Sequence, residues 1–526
     1  MTALLPPPAV AAAPDAPWRA RLAARVDGRG GWGWTALVVL LAGLLRFVRL
    51  DLPFNGSAGG KVFDEVYYAC DAVGLLSAGV ELATVEGGTC APSTGDGAFV
   101  VHPPLGKWAI ALGIRAFGEG PFAWRSAAAM AGTLTVLLVV RAGRRMTGST
   151  LLGCLAGLLL AVDGLHLVQS RVAMLDVFLV LWTTAAFAAL LVDRDRVRAA
   201  LAAATDLSGH GPRLGARPWR LVAGLCLGAA LATKWSAVYY AVVLVLLAVA
   251  WEVGARRTAG VRAPFRATVA RSLLPLTGAL ALLPVAVYVA SYAGWFRSDR
   301  GFYRDWAATT GGFGAEDGLA ASVLSRLPDA LQSLVHYHRE ILQFHDGLDS
   351  PHPYQSHPQG WLLLARPVSY YYPPGLDRGD YGCDAASCAR EVLAIGNPVL
   401  WWGTLPVLVA LVWLWLARRD WRAAALLPLV LAGVVPWIRD DLADRTMFLF
   451  YALPAVPFMA LSAALVGGWL VGGPHAPARR RRWGAAAVGV YVAATVLALA
   501  WFYPVLAAQT ISIEAWRDRM WFPSWI

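Results

Sequence analysis

The chain has 526 residues, 58% of them hydrophobic and only 15% charged, with a mean hydropathy of +0.53. That balance excludes an ordinary soluble domain and fits a polytopic membrane protein. The net charge of +11 does not point to nucleic acid, because the basic residues collect in short segments between apolar runs; "ARRRRW" (478–483) reads as a cytoplasmic anchor.

Residues 1–31 place Pro and Ala before the basic residues, the reverse of a cleaved signal peptide, and read as a disordered cytoplasmic tail. Apolar runs near the length that an α-helix needs to cross a bilayer follow at 32–50, 121–140, 149–165, 173–192, 273–292, 397–417 and 484–505. The stretch 221–253 is long enough for two crossings with a break near Lys234. Segments 423–437 and 447–471 bring the expectation to eleven. The sequence therefore predicts an all-α polytopic membrane protein. A transmembrane module at 32–292 contains a first outer loop at 51–120. A large outer loop at 293–395, a second module at 396–505 and an outer tail at 506–526 complete the chain.

With the N-terminus inside, 25 basic residues fall in about 100 inner positions, against 17 in outer segments roughly twice as long, as the positive-inside rule expects. Cys70 and Cys90 lie in the first outer loop, Cys383 and Cys388 in the large one, and none lies in an inner loop. On an oxidising face they read as two disulfides, Cys70–Cys90 and Cys383–Cys388, with four free thiols as the alternative. Neither pair has a second pair at zinc-ligand spacing.

Ionisable residues gather at the outer ends of the crossings. "KVFDEVYYACDA" (61–72) sets Asp64 beside Glu65, two carboxylates that repel each other wherever water is scarce. At 100° per residue, Phe63, Val66, Cys70 and Val73 form an apolar stripe, with Asp64, Tyr68 and Asp71 on the polar side. The pattern predicts an interfacial helix holding both carboxylates at the water's edge; a solvated surface helix is the plainer alternative. In "VHPPLGKW" (101–108) the double Pro forces an extended lead-in before a short apolar helix. His102 and Lys107 would then face the same aqueous cavity; a simple loop turn is the alternative. Only three lysines occur, Lys61, Lys107 and Lys234, all near these motifs, and a compact ammonium suits phosphate as a point charge. Snorkelling at the interface is the competing reading. The aromatic-rich stretch 345–374, with His352, Tyr354, Trp361 and Arg366, suits a sugar or peptide ligand, or else an aromatic belt.

Together, "LRFVRLDLP", "FDEVYYA", "HPPLGKW", "RVAMLDVFLV", "TKWSAVYY", "HPYQSHPQGWLLLARPVSYYY" and "RTMFLFYALPAVPFMAL" resemble the protein O-mannosyltransferases, in their bacterial, actinobacterial-type branch. The resemblance runs in order from about residue 40 to 470. It implies a GT-C-type glycosyltransferase fold in the cell membrane, with the active site and C-terminus outside. It implies transfer of mannose from polyprenyl phosphate mannose to Ser or Thr hydroxyls of proteins, by direct attack with inversion. Asp64 matches the family's catalytic Asp, Glu65 its neighbour, and Arg125 an arginine that the family needs in its second crossing. As a base, Asp64 would take the hydroxyl proton, while Arg125, Lys234, His102 and Lys107 would serve the donor phosphate. Tyr68, His352, Tyr354, Trp361 and Arg366 are the candidate substrate contacts. No cofactor is required by this chemistry, and a divalent metal stays open. The translocation machinery would be a natural partner. Two departures stand out: the large loop has no room for the β-trefoil-type module of eukaryotic relatives, and Trp361-Leu362 replaces a frequent Trp-Pro. A transferase acting on lipid or cell-wall glycan, and a polyprenyl-sugar transporter, are the competing readings.

Overall fold

A computed structural model describes residues 29–54, 60–83, 90, 95–314 and 318–526; the expected tail lies almost wholly outside them. Among the described residues, seven helices are long and apolar enough to cross a membrane: Pro121–Thr147, Asp176–Ala202, Ala237–Ala259, Pro264–Ser291, Pro398–Arg418, Leu449–Val471 and Ala478–Leu506. Four shorter apolar helices accompany them, at Gly31–Phe47, Thr150–Ala161, Pro218–Leu231 and Trp421–Leu431. Pro121–Thr147, Asp176–Ala202 and Leu449–Val471 are the most buried and form the centre of the bundle. Their small residues let backbones approach, as membrane packing favours. Gly224 is a case where glycine is required, since a Cβ there would lie 1.8 Å from the carbonyl oxygen of Ala279. The facing helix takes a π-helical turn over Gly278–Leu282, just after Pro275.

At one end of the bundle a charged knot joins four helices. Arg217 binds Asp193 at 2.5 Å and Glu252 at 3.2 Å; Arg220 reaches Glu252 at 2.5 Å and Arg256 reaches it at 3.3 Å. Ser272 also donates to Glu252. Buried charges persist in such surroundings only when paired.

At the other end the connections are long. The first contains the helices Glu65–Ala78 and Leu105–Phe117, packed on each other. The second contains the amphipathic helix Asp329–Asp346 and four short strands: β1 (Val368–Tyr371), β2 (Leu376–Asp377), β3 (Ser387–Arg390) and β4 (Val392–Ala394). β1 pairs antiparallel with β4, while β2 and β3 form an antiparallel sheet completed by β5 (Thr510–Ser512). Residues 506–526 are thus folded onto the large loop. Trp516 Nε1 donates to Glu391 at 2.6 Å and Trp525 Nε1 to the Leu364 carbonyl at 2.7 Å. Disulfides join Cys70 to Cys90 and Cys383 to Cys388.

Candidate active site

Asp64 stands at the N-terminal boundary of the helix Glu65–Ala78, and one residue of helical rotation separates two environments. Glu65 turns inward and is fully buried. Arg125 holds it with two parallel bonds, Nε–Oε1 at 2.7 Å and Nη2–Oε2 at 2.8 Å. The amides of Val62 and Ala173 donate to the same carboxylate at 2.9 and 2.8 Å. Arg125 spends its remaining donors on the carbonyls of Leu50 and Gly60. A bidentate arginine pair with this many partners is a strong, geometrically specific clamp.

Asp64 turns the other way, into a cavity of about 1230 Å³. Its carboxylate accepts a long bond, 3.4 Å, from the Tyr68 hydroxyl and makes no cap hydrogen bond. Burial pushes its pKa up to about 6; Lys234 pulls it down, Asp176 pushes it up, and the Tyr68 bond lowers it. Lys234 lines the same cavity, with its ammonium 2.9 and 3.0 Å from the two Asp176 oxygens. It lies 5.1 Å from the centre of the Tyr451 ring.

His102 lines the cavity with its ring on that of His345, centroids 5.6 Å apart. Burial, with Lys234, His345, Lys107 and Arg445 nearby, holds its pKa well below the ordinary value, so His102 is a neutral hydrogen-bonding group and not a cation. Lys107 is buried between Asp71 and Glu81, 3.1 Å from each. Burial alone would lower its pKa, but the two carboxylates outweigh it and the net shift is upward. Burial also raises Asp71 to about 6, against the pull of Lys107.

The expected residues therefore divide. Asp64, Tyr68, His102, Lys107, Lys234 and His352 line one cavity. Glu65 and Arg125 do not line it: both are fully buried and bound to each other, which places Arg125 behind the cavity and not among the groups that face it. Lys107 touches the cavity, but its ammonium is taken by the two carboxylates. Trp361 is fully buried, donating to Ser356 Oγ at 2.9 Å, and is a core residue, not a substrate contact. Arg366 bonds the carbonyls of Pro353, Ser524 and Ile526 and stacks over Tyr354, which likewise does not line the cavity. Both belong to the brace between the large loop and residues 506–526. The helix Glu65–Ala78 is no free interfacial element either: its Tyr68–Asp71 side is buried against the cavity and the helix Leu105–Phe117.

Several cavity residues lay outside the expected set. Arg439 and Arg445 come from the turn before Leu449. Arg445 is bound to Asp440 at 3.2 Å and to the His345 carbonyl at 3.1 Å, while Arg439 is exposed. Their density of charge in "RDDLADR" was visible, but nothing in the sequence joined that turn to Asp64. His345 is one of three histidines on the amphipathic helix Asp329–Asp346, and nothing in the sequence set it apart from His336 and His338. Among the described residues no three His, Cys, Asp or Glu side chains are grouped as metal ligands.

Two family models match the chain. The dolichyl-phosphate-mannose-protein mannosyltransferase model covers residues 116–296, and the C-terminal four TMM region of protein-O-mannosyltransferase covers 330–428. The polyprenol-phosphate-mannose–protein mannosyltransferase of Mycobacterium tuberculosis (strain ATCC 25618 / H37Rv) is 41% identical over 511 residues, 95% of this chain and 93% of that one. The chain belongs to the protein O-mannosyltransferase family. The corresponding mannosyltransferase of Corynebacterium glutamicum is 35% identical over 94% of each chain. In fold, the chain resembles a chain of the Saccharomyces cerevisiae protein O-mannosyltransferase complex solved with bound sugar donor. The TM-score is 0.70 at 15% identity, over 96% of this chain and 94% of that one. An archaeal oligosaccharyltransferase from Archaeoglobus fulgidus matches at a TM-score of 0.51 and 14% identity, over 94% and 58%. The fold is that of a GT-C-type membrane glycosyltransferase, in a mostly helical multi-pass membrane protein.

Proposed function

We propose that this protein O-mannosyltransferase transfers mannose from polyprenyl phosphate mannose to Ser or Thr hydroxyls of proteins on the extracytoplasmic face. The reading rests on near-full-length similarity to relatives named for that reaction. For the mechanism, one observation carries it: Asp64 faces the cavity with its carboxylate almost unbonded, opposite Lys234.

A hydroxyl is a poor nucleophile until a base takes its proton as the new C–O bond forms. Asp64, pushed up to about 6, is a stronger base than an ordinary carboxylate and still ionised at neutral pH. The hydroxyl oxygen attacks the anomeric carbon, the bond to the phosphate oxygen breaks, and configuration inverts. The departing lipid phosphate gains negative charge, which Lys234, Arg445 and Arg439 would stabilise, with His102 as a neutral hydrogen-bond partner. Tyr68 and His352 stand on the same wall as substrate contacts. Glu65 and Arg125 fix the direction of Asp64 from behind.

We read the four shorter apolar helices as completing eleven crossings. The arginine-rich connections lie at the bundle end away from the cavity, which by the positive-inside rule supports reading the cavity as outside.

The test is a transfer assay on detergent-purified protein. It uses radiolabelled polyprenyl phosphate mannose and a Ser/Thr-rich peptide, with Asp64→Asn alongside. Label on the peptide hydroxyl that the variant loses is the expected result. Label on lipid or glycan instead would replace the acceptor, and no transfer from intact protein would remove the enzyme reading.

A further inference from the structure

The backbone immediately before Asp64 is held in an unusual state. Phe63 has φ of +50°, in the left-handed region that bulky side chains avoid. Such a conformation persists only where the surroundings over-determine it. On the main-chain side, the Val62 amide is bonded to Glu65, and Glu65 and Val66 donate back to the carbonyls of Val62 and Phe63 at 3.1 and 3.3 Å.

The ring side is held from more than 300 residues away. Phe63 lies flat on Tyr370, with centroids 4.2 Å apart and planes within 10°. Phe450 meets both rings edge-on, at 5.9 and 5.8 Å. Tyr370 is the residue at which β1 slips against β4: Ser369 opposes Leu393, Tyr371 opposes Val392, and Tyr370 has no partner between them. A bulge of this kind re-aims a side chain. The hydroxyl of Tyr370 then accepts a 2.6 Å bond from Gln169, which is fully buried.

We propose that Tyr370 is a positioning residue: its ring pins Phe63 in the left-handed conformation and so aims the Asp64 carboxylate at the acceptor hydroxyl. Stacked aromatic pairs are favourable beyond their buried area, and this one backs Phe63 and Phe450, which line the cavity beside Asp64. The inference rests on Asp64 being the base. It gives the first tyrosine of "VSYYY" a task at the reaction centre without contact to substrate.

The test compares Tyr370→Leu and Tyr370→Phe in the full-length protein, with Asp64→Asn as the control for the base. Tyr370→Leu keeps apolar volume but removes the stack. It is expected to lower kcat at least 30-fold with the donor KM within about threefold. The acid limb of its kcat/KM–pH profile should move below that of wild type, as water reaches Asp64. Tyr370→Phe keeps the ring and is expected to recover kcat to within about threefold of wild type. Should Tyr370→Leu fail to fold, Phe63→Leu breaks the same stack from the other partner and carries the same expectation. Wild-type turnover and an unmoved acid limb in the Leu variant would overturn the proposal, as would equal losses in Leu and Phe. Full activity in Asp64→Asn would instead overturn the assignment of the base.

Discussion

Replacing Asp64 by Asn removes the proposed base while keeping its shape, and kcat is expected to fall by about 10³, the usual scale of general-base catalysis. The same variant should be more stable than wild type at pH 8. The folded protein binds the Asp64 proton more tightly than an unfolded carboxylate does, because burial penalises the charge. Stability is therefore lost as pH rises from about 4 through about 6. Thermal melts of Asp64→Asn and wild type should diverge above pH 6 and converge near pH 4. Glu65→Gln has the opposite character. It leaves the fully buried Arg125 without its counter-charge, which costs about 3 kcal/mol or more, so a lower melting temperature is expected even where activity can be measured. The doublet was legible in the sequence; the separation of its roles was not. Adjacent residues on a helix differ by 100° in direction, and only the position of Arg125 decides which one turns inward. Trp361 and Arg366 misled for a related reason: aromatic and cationic residues build braces with the same chemistry with which they bind sugars.

Among elements, each of the two long loops is closed on itself by one disulfide. Cys70–Cys90 closes a span of 20 residues and Cys383–Cys388 one of 5. By loop-closure entropy the first contributes about 3 kcal/mol and the second about 2. Cys70→Ser with Cys90→Ser should thus lower the melting temperature more than the Cys383 and Cys388 pair does. Beyond the last crossing, β5 and the helix Ile513–Arg517 are latched by Trp516 on Glu391, whose pKa burial raises to about 7. The protonated form is the one that folding favours, so this contribution is full below pH 4.5 and is lost as pH rises through 7. Limited proteolysis of residues 506–526 should accelerate over that range, and Glu391→Gln should flatten the trend. The helices were legible from their apolar runs. The strands were not, because β1 to β5 are two to four residues long, too short for alternation to give a signal, and β3 finds its partner β5 more than 100 positions away.

At the scale of the whole molecule, chemistry and anchoring occupy opposite ends. The helix Ala237–Ala259 begins beside the cavity lining at Tyr239 and carries Glu252 thirteen residues on, about 20 Å at the helical rise. Glu252→Ala strips three arginines of a shared partner. It should destabilise the protein by about 3 kcal/mol while leaving the donor KM of the surviving folded fraction unchanged. A thermal melt paired with donor kinetics checks both halves of that expectation. The family and membrane class were visible from ordered motifs and hydropathy. The cavity was not, because its walls come from five separate stretches of chain that only packing assembles.

The stack of Phe63 on Tyr370, edged by Phe450, joins the first eighth of the chain to its last sixth. During synthesis, the ribosome delivers Asp64, Glu65 and Arg125 long before Tyr370, Arg445 and Phe450 exist. A nascent chain paused at residue 300 already has the proposed base, yet has neither the ring proposed to aim it nor the arginines proposed to receive the leaving phosphate. On these proposed roles, catalytic competence comes late in synthesis, and a truncated product ending at residue 300 is expected to be inert towards the lipid donor.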